Sequence, residues 1–157
     1  MANNITHLLQ SAGDFRILAR NISIIENEVP GYEKLLQELQ PSDAKIIGIT
    51  GAPGSGKSTL TDALIEEIIK DKKKVAVLCV DPSSPFNRGA LLGDRIRMSE
   101  WYNHPDVFIR SLASKGSLGG LHPKIVEISD LVKSAGFDYI IIETVGVGQS
   151  EVDIADM

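Results

Sequence analysis

An α/β fold, with a mainly parallel sheet flanked by helices, follows from three observations on the 157 residues. Apolar runs of strand length alternate with segments whose apolar residues recur at three- and four-residue spacing, the alternation that a parallel sheet with crossover helices requires. The first such run, Lys45–Thr50, leads straight into the glycine-rich stretch Gly51-Ala52-Pro53-Gly54-Ser55-Gly56-Lys57-Ser58, and a helical stripe follows it. The composition, 43% apolar and 24% charged, is that of an ordinary globular chain long enough for one proper core.

The glycine-rich stretch fits G-x-x-x-x-G-K-S/T at every fixed position, and strand, loop and helix come in the order that a phosphate-binding loop needs. Gly51, Gly54 and Gly56 permit positive φ and close backbone approach. Consecutive N–H groups can then turn inward while the next helix offers its positive dipole end, which together suit a polyphosphate. The residues expected around it are Gly51, Ala52, Pro53, Gly54, Ser55, Gly56, Lys57, Ser58 and Thr59, with Lys57 bridging phosphates and the Ser58 hydroxyl ligating Mg²⁺. These features predict a P-loop nucleoside triphosphate site.

In chain order, Asp14 reads as an N-cap for a helix with the stripe Phe15, Leu18, Ile22 and Ile25. After Pro30, the residues Tyr32, Leu35, Leu36 and Leu39 form a second short stripe. Residues 1–41 are therefore expected to be a helical extension packed on the sheet, and residues 42–157 the nucleotide-binding domain. The helix after the loop is expected over Thr59–Lys70, with Leu60, Leu64, Ile65, Ile68 and Ile69 on its apolar face.

A second buried strand, Lys74–Val80, delivers Asp81 at its carboxyl end, where open parallel sheets bind their ligands. Asp81 is thus a candidate for the Mg²⁺ shell, or else a turn residue beside Pro82. Asp94 reads as the cap of a helix continuing through Met98 to Tyr102. Val107–Ile109 suggests a short strand, Ser111–Leu121 a loop beside the site, and Ile125, Ile128, Leu131 and Val132 an amphipathic helix ending near Gly136. The last strand, Tyr139–Ile142, brings Glu143 to its end as a second metal-holding carboxylate, and Gly146 follows where its N–H could meet a γ-phosphate.

Other classes are disfavoured. A net charge of −5 and no basic run beyond Lys70–Lys74 argue against nucleic acid. Cys79 lies within an apolar run and reads as a buried thiol. His7, His104 and His122 lack metal-ligand spacing and read as surface or capping residues, and Trp101 as core or interface. Neither a secretory signal nor a membrane-length apolar run is found, so the expected location is the cytoplasm.

The strings Val80-Asp81-Pro82-Ser83-Ser84-Pro85-Phe86, Gly89-Ala90-Leu91-Leu92-Gly93-Asp94-Arg95-Ile96-Arg97-Met98, Phe108-Ile109-Arg110-Ser111-Leu112-Ala113-Ser114, Gly116-Ser117-Leu118-Gly119-Gly120 and Glu143-Thr144-Val145-Gly146-Val147-Gly148-Gln149-Ser150-Glu151 are long and distinctive. With them the chain resembles the methylmalonyl-CoA-mutase-associated GTPases, chaperones of cobalamin-dependent mutases with the older label of lysine/arginine/ornithine transport ATPases. The resemblance implies a SIMIBI-class GTPase in which Asp81 and Glu143 surround Mg-GTP, Glu143 standing where other GTPases carry aspartate, and Asp94 lies in the first switch region. It also implies GTP as substrate, GDP as product, the mutase as partner and a homo-oligomer.

Family members are longer, and the Asn/Thr-Lys-x-Asp segment that selects guanine is not found in residues 1–157. GTP over ATP is therefore an implication of the resemblance alone. An N-terminal portion of the family's chain is expected, with an incomplete sheet whose exposed edge would favour marginal stability or self-association. Two other readings share the loop: a small-molecule kinase, which needs an acceptor pocket, and a non-catalytic nucleotide-binding or interaction module.

Overall fold

The structure is a computed structural model that describes residues 14–81, 98–114 and 121–144. Two helices come first, α1 (Phe15–Glu26) and α2 (Tyr32–Gln37). Strand β1 (Lys45–Ile49), helix α3 (Lys57–Lys70), strands β2 (Val75–Asp81) and β3 (Val107–Ala113), helix α4 (Ile125–Ser134) and strand β4 (Tyr139–Thr144) follow. The four strands form one parallel sheet in the order β1-β4-β2-β3.

Strand alternation divides the core into two layers. Ala76, Leu78 and Val80 of β2, with Ile140 and Ile142 of β4, pack with α1, α2 and α4 on one face. Val75, Val77 and Cys79, with Ile141, pack with α3, Met98 and Val107 on the other. The runs read as continuous apolar strands because both faces are covered. Successive residues serve opposite layers, so a one-residue slip would exchange the two sets.

The first helix begins where expected: Asp14 accepts a hydrogen bond from the Arg16 N–H at 2.9 Å. Its stripe meets the sheet, with Leu18, Ile22 and Ile25 buried in the same cluster as Phe108 and Ile140. A polar tie reinforces the apolar one. The Arg110 guanidinium on β3 donates to Glu26 Oε2 at 2.8 Å and to Ser23 Oγ at 2.9 Å. Lys124, just before α4, pairs with Glu28 and Glu127 and lies over the Tyr32 ring.

Several boundaries and exposures depart from expectation. β3 runs on to Ala113, since Arg110 and Ser111 are only half-buried on an edge strand and need no apolar character. β4 extends to Thr144, so Glu143 is a rung of the ladder, opposite Ile49 and Cys79, rather than a residue beyond it. Residues 98–103 form turns instead of continuing a helix. His122 is buried, not at the surface; its Nδ1 accepts the Lys124 N–H at 3.0 Å in the turn that leads into α4. Leu60 is 52% exposed, because Thr61, Ile65 and Ile68 set the buried face of α3 and Leu60 is one helical step off it. Among the described residues no helix is long and apolar enough to cross a membrane.

At the amino end of the sheet, Asp138 stitches three strands together. Its Oδ2 accepts the Lys74 N–H at 2.8 Å, its Oδ1 pairs with Lys73 at 3.3 Å, and its carbonyl accepts the Lys45 N–H. The Lys74 N–H holds the carboxyl below its ordinary value of 3.8; partial burial opposes this and Lys73 adds to it. A depressed carboxyl stabilises the fold above its unfolded pKa and loses that contribution as pH falls through the folded value. Replacing Asp138→Ala is expected to lower stability at pH 7 by about 0.5–1 kcal/mol, allowing for solvent screening. In urea unfolding the gap from wild type should close below pH 3.8.

Candidate functional site

β1 ends at Ile49 and the chain enters the glycine loop at the carboxyl edge of the sheet. Three glycines there adopt backbone that other residues resist: Gly51 at φ 142°, Gly54 at φ 78° and Gly56 at φ 90°. A Cβ on Gly51 would also lie 3.0 Å from Ser55 Oγ. Gly56 is the N-cap of α3, so the helix starts at Lys57, two residues earlier than the sequence suggests. Lys57, Ser58 and Thr59 thus form the first helical turn, whose N–H groups have no carbonyl one turn back to bond. The loop residues 52–56 are exposed, and Ser55 N–H closes a turn on the Ala52 carbonyl at 3.1 Å.

Lys57 folds back across the loop. Its ammonium donates to the Gly51 carbonyl at 2.8 Å and to the Ala52 carbonyl at 3.0 Å. An ammonium has three protons, so one remains for an incoming phosphate oxygen. Binding two loop carbonyls also fixes the side chain at the loop's mouth before any ligand arrives.

Glu143 meets this first turn from below. Its Oε1 accepts the Ser58 hydroxyl at 3.0 Å and its Oε2 accepts the Thr61 hydroxyl at 2.8 Å. Glu143 is only 7% exposed, and no lysine or arginine among the described residues pairs with it. A buried carboxylate held by neutral donors alone is under-compensated, and a cation nearby would complete it. Because Ser58 gives its proton to Glu143, the lone pairs of its oxygen are left for such a cation. Among the described residues no three acidic, histidine or cysteine side chains converge. Two oxygen donors without a protein cage suit Mg²⁺, which usually keeps its waters and takes substrate phosphates.

Lys57, Ser58 and Glu143 are therefore brought together as the sequence suggests. Asp81 is the last residue of β2, two beyond Cys79, whose register partner is Glu143. Its backbone thus reaches the same edge of the sheet, one pleat further on; its side chain lies outside the described residues, as do Asp94, Gly146 and the loop 115–120. Two contacts escaped the sequence reading. Thr61 is three residues after Ser58, on nearly the same helix face, and that spacing was the available signal. Asp62, which lies off the expected apolar stripe of this helix, accepts the Trp101 indole N–H at 2.6 Å, so Trp101 packs beside α3 as an interface residue.

A parallel sheet whose first strand enters such a loop, with a neighbouring strand's carboxylate on the serine that follows it, defines the P-loop nucleotide-binding fold class. The family model described as Methylmalonyl Co-A mutase-associated GTPase MeaB matches residues 18–157, and the chain belongs to that family. A Pyrococcus abyssi relative is 49% identical over 144 residues, covering 90% of this chain and 44% of its own. GTPase ArgK of Escherichia coli is 39% identical over 163 residues, covering 100% of this chain and 49% of its own. The Fused isobutyryl-CoA mutase of Geobacillus kaustophilus is 39% identical over 158 residues, covering 93% of this chain and 14% of its own. Among solved structures, an LAO/AO transport system kinase superposes with a TM-score of 0.71 at 33% identity, over 99% of this chain and 46% of that one. The chain spans about half the length of the curated GTPase relatives it matches.

Gly51→Ala is expected to cost roughly 1–3 kcal/mol in denaturant unfolding, from left-handed strain plus the approach to Ser55. Gly54→Ala, where φ is 78° but nothing lies within 4 Å of a Cβ, should cost less.

Proposed function

We propose that this chain is the nucleotide-binding portion of a GTPase that binds Mg-GTP at the Gly51–Thr59 loop and hydrolyses it in the service of a cobalamin-dependent acyl-CoA mutase. The observation that carries the nucleotide half is the meeting of Ser58 and Glu143 at the first turn of α3, with Lys57 poised over the loop. Family membership supports guanine as the base and the methylmalonyl-CoA mutase as partner. The Geobacillus protein supports the same partnership from another side, since its name puts a related mutase in one chain with a segment like this one.

The residues divide the work by chemistry. The loop N–H groups and the helix's positive end receive the β-phosphate and γ-phosphate oxygens. Lys57 adds a point charge where negative charge spreads during transfer of the γ-phosphoryl group to water. Ser58 and Glu143, with Asp81 one pleat away, would hold Mg²⁺, which supplies charge neutralisation across the phosphates when bound. Asp94 and Gly146 are proposed to respond to the γ-phosphate from the segments after β2 and β4, so that hydrolysis releases them. The intact family protein is proposed to act as a homo-oligomer.

Calorimetric titration of GTP and ATP side by side tests the reading, with GTP expected to bind more tightly than ATP, and more tightly with Mg²⁺ than in EDTA. Lys57→Ala should weaken triphosphate binding by about a hundredfold, the loss of one charge-assisted phosphate contact. Unchanged affinity in that variant would falsify the site. Phosphate release without any added acceptor distinguishes hydrolysis from kinase chemistry.

A further inference from the structure

The geometry points to Thr61 as a positioning residue that fixes the Glu143 carboxylate in the orientation from which it and Ser58 receive a divalent cation. This rests on the nucleotide-binding reading above. Thr61 is fully buried, and its hydroxyl oxygen lies 2.8 Å from Glu143 Oε2 and 3.0 Å from the carbonyl of Lys57. A hydroxyl carries one proton, and both neighbours here are acceptors only. The charged carboxylate is the stronger acceptor and takes it. The Lys57 carbonyl is not left wanting, because the Thr61 main-chain N–H reaches it in the ordinary helical ladder.

Ser58 and Thr61 therefore grip the two oxygens of Glu143 separately, one each. With Ser58 alone, the carboxylate could rotate about its last side-chain bond, which has a broad torsional preference. With both, its plane is set relative to the first turn of α3. The two hydroxyls are not equivalent in consequence. Ser58 is part-buried beside the loop and is the one that would ligate the cation, whereas Thr61 is enclosed and acts on Glu143 rather than on the cation. Thr61 also has a fallback: should the carboxylate shift toward a bound cation, its O–H can turn and donate to the Lys57 carbonyl 3.0 Å away without being orphaned. Holding the carboxylate in place thus does not lock it there.

The test compares Thr61→Val, which replaces the hydroxyl by a methyl of similar shape, with Thr61→Ser, which keeps the hydroxyl. In Mg²⁺ titrations of GTP binding followed by calorimetry, Thr61→Val should raise the Mg²⁺ concentration for half-maximal binding by about tenfold, the low end for losing an outer hydrogen-bond partner of a metal ligand. Thr61→Ser should restore the wild-type curve, and GTP affinity in EDTA should be the same for all three. A double-mutant cycle of Thr61→Val with Glu143→Gln, read by urea unfolding without nucleotide, should be non-additive. Thr61→Ala repeats both measurements if the valine variant does not fold. Superimposable Mg²⁺ curves, or an additive cycle, overturn the proposal while leaving nucleotide binding intact. A wild-type chain that takes up no nucleotide overturns the underlying reading and this proposal together.

Discussion

The position of β4 between β1 and β2 governs everything at the carboxyl edge of the sheet. β1 must feed the glycine loop, and β4 must carry a carboxylate; only adjacency lets the two meet. The register completes the placement by setting Glu143 opposite Ile49, the last residue of β1 before the loop. Helix α3 then returns over that face, and its first turn descends onto the carboxylate. The tie between Glu143 and two hydroxyls of α3 joins residues 85 and 82 positions apart in the chain. Local propensity has no hold over such a separation. It is the two-layer core, with α3 on one side and three helices on the other, that makes the contact dependable.

The α1 side has a different character. Its helices contribute aliphatic stripes and a tight aromatic group, in which Phe15, Phe108 and Phe137 lie within about 6 Å of one another. This layer cushions the sheet from the face opposite the nucleotide loop. Stability and chemistry are thus assigned to opposite faces of one sheet, and Glu143 lies on the chemical side because it shares the strand parity of Ile141.

Much of this was legible in the residues. The loop, its flanking elements, the Asp14 cap and the α1 stripe follow from short-range rules, and each is found, the helix after the loop starting two residues early. What was not legible depends on tertiary neighbours. Nothing local distinguishes Leu60 from Ile65, yet only the second meets the sheet. The burial of His122 is set by its tertiary surroundings, not by its own polarity. β4 looked shorter than it is because Glu143 and Thr144 are polar, and polarity normally marks a strand's end; here β2 pairs with both and carries the ladder on to Thr144. The Thr61 contact was hidden for the opposite reason. A threonine inside a helix has an ordinary explanation in its own backbone, and only the fold reveals the second acceptor.

The bond from Trp101 to Asp62 carries one more implication. Trp101 is the sole indole in the chain, and its N–H is engaged at 2.6 Å by a carboxylate on the helix that opens with Lys57. Light absorbed by this molecule at the red edge of the protein band is therefore emitted from one known junction, between the phosphate-loop helix and the segment leading into β3. The protein comes with its own fluorophore, already wired to the part of the molecule where a nucleotide would announce itself.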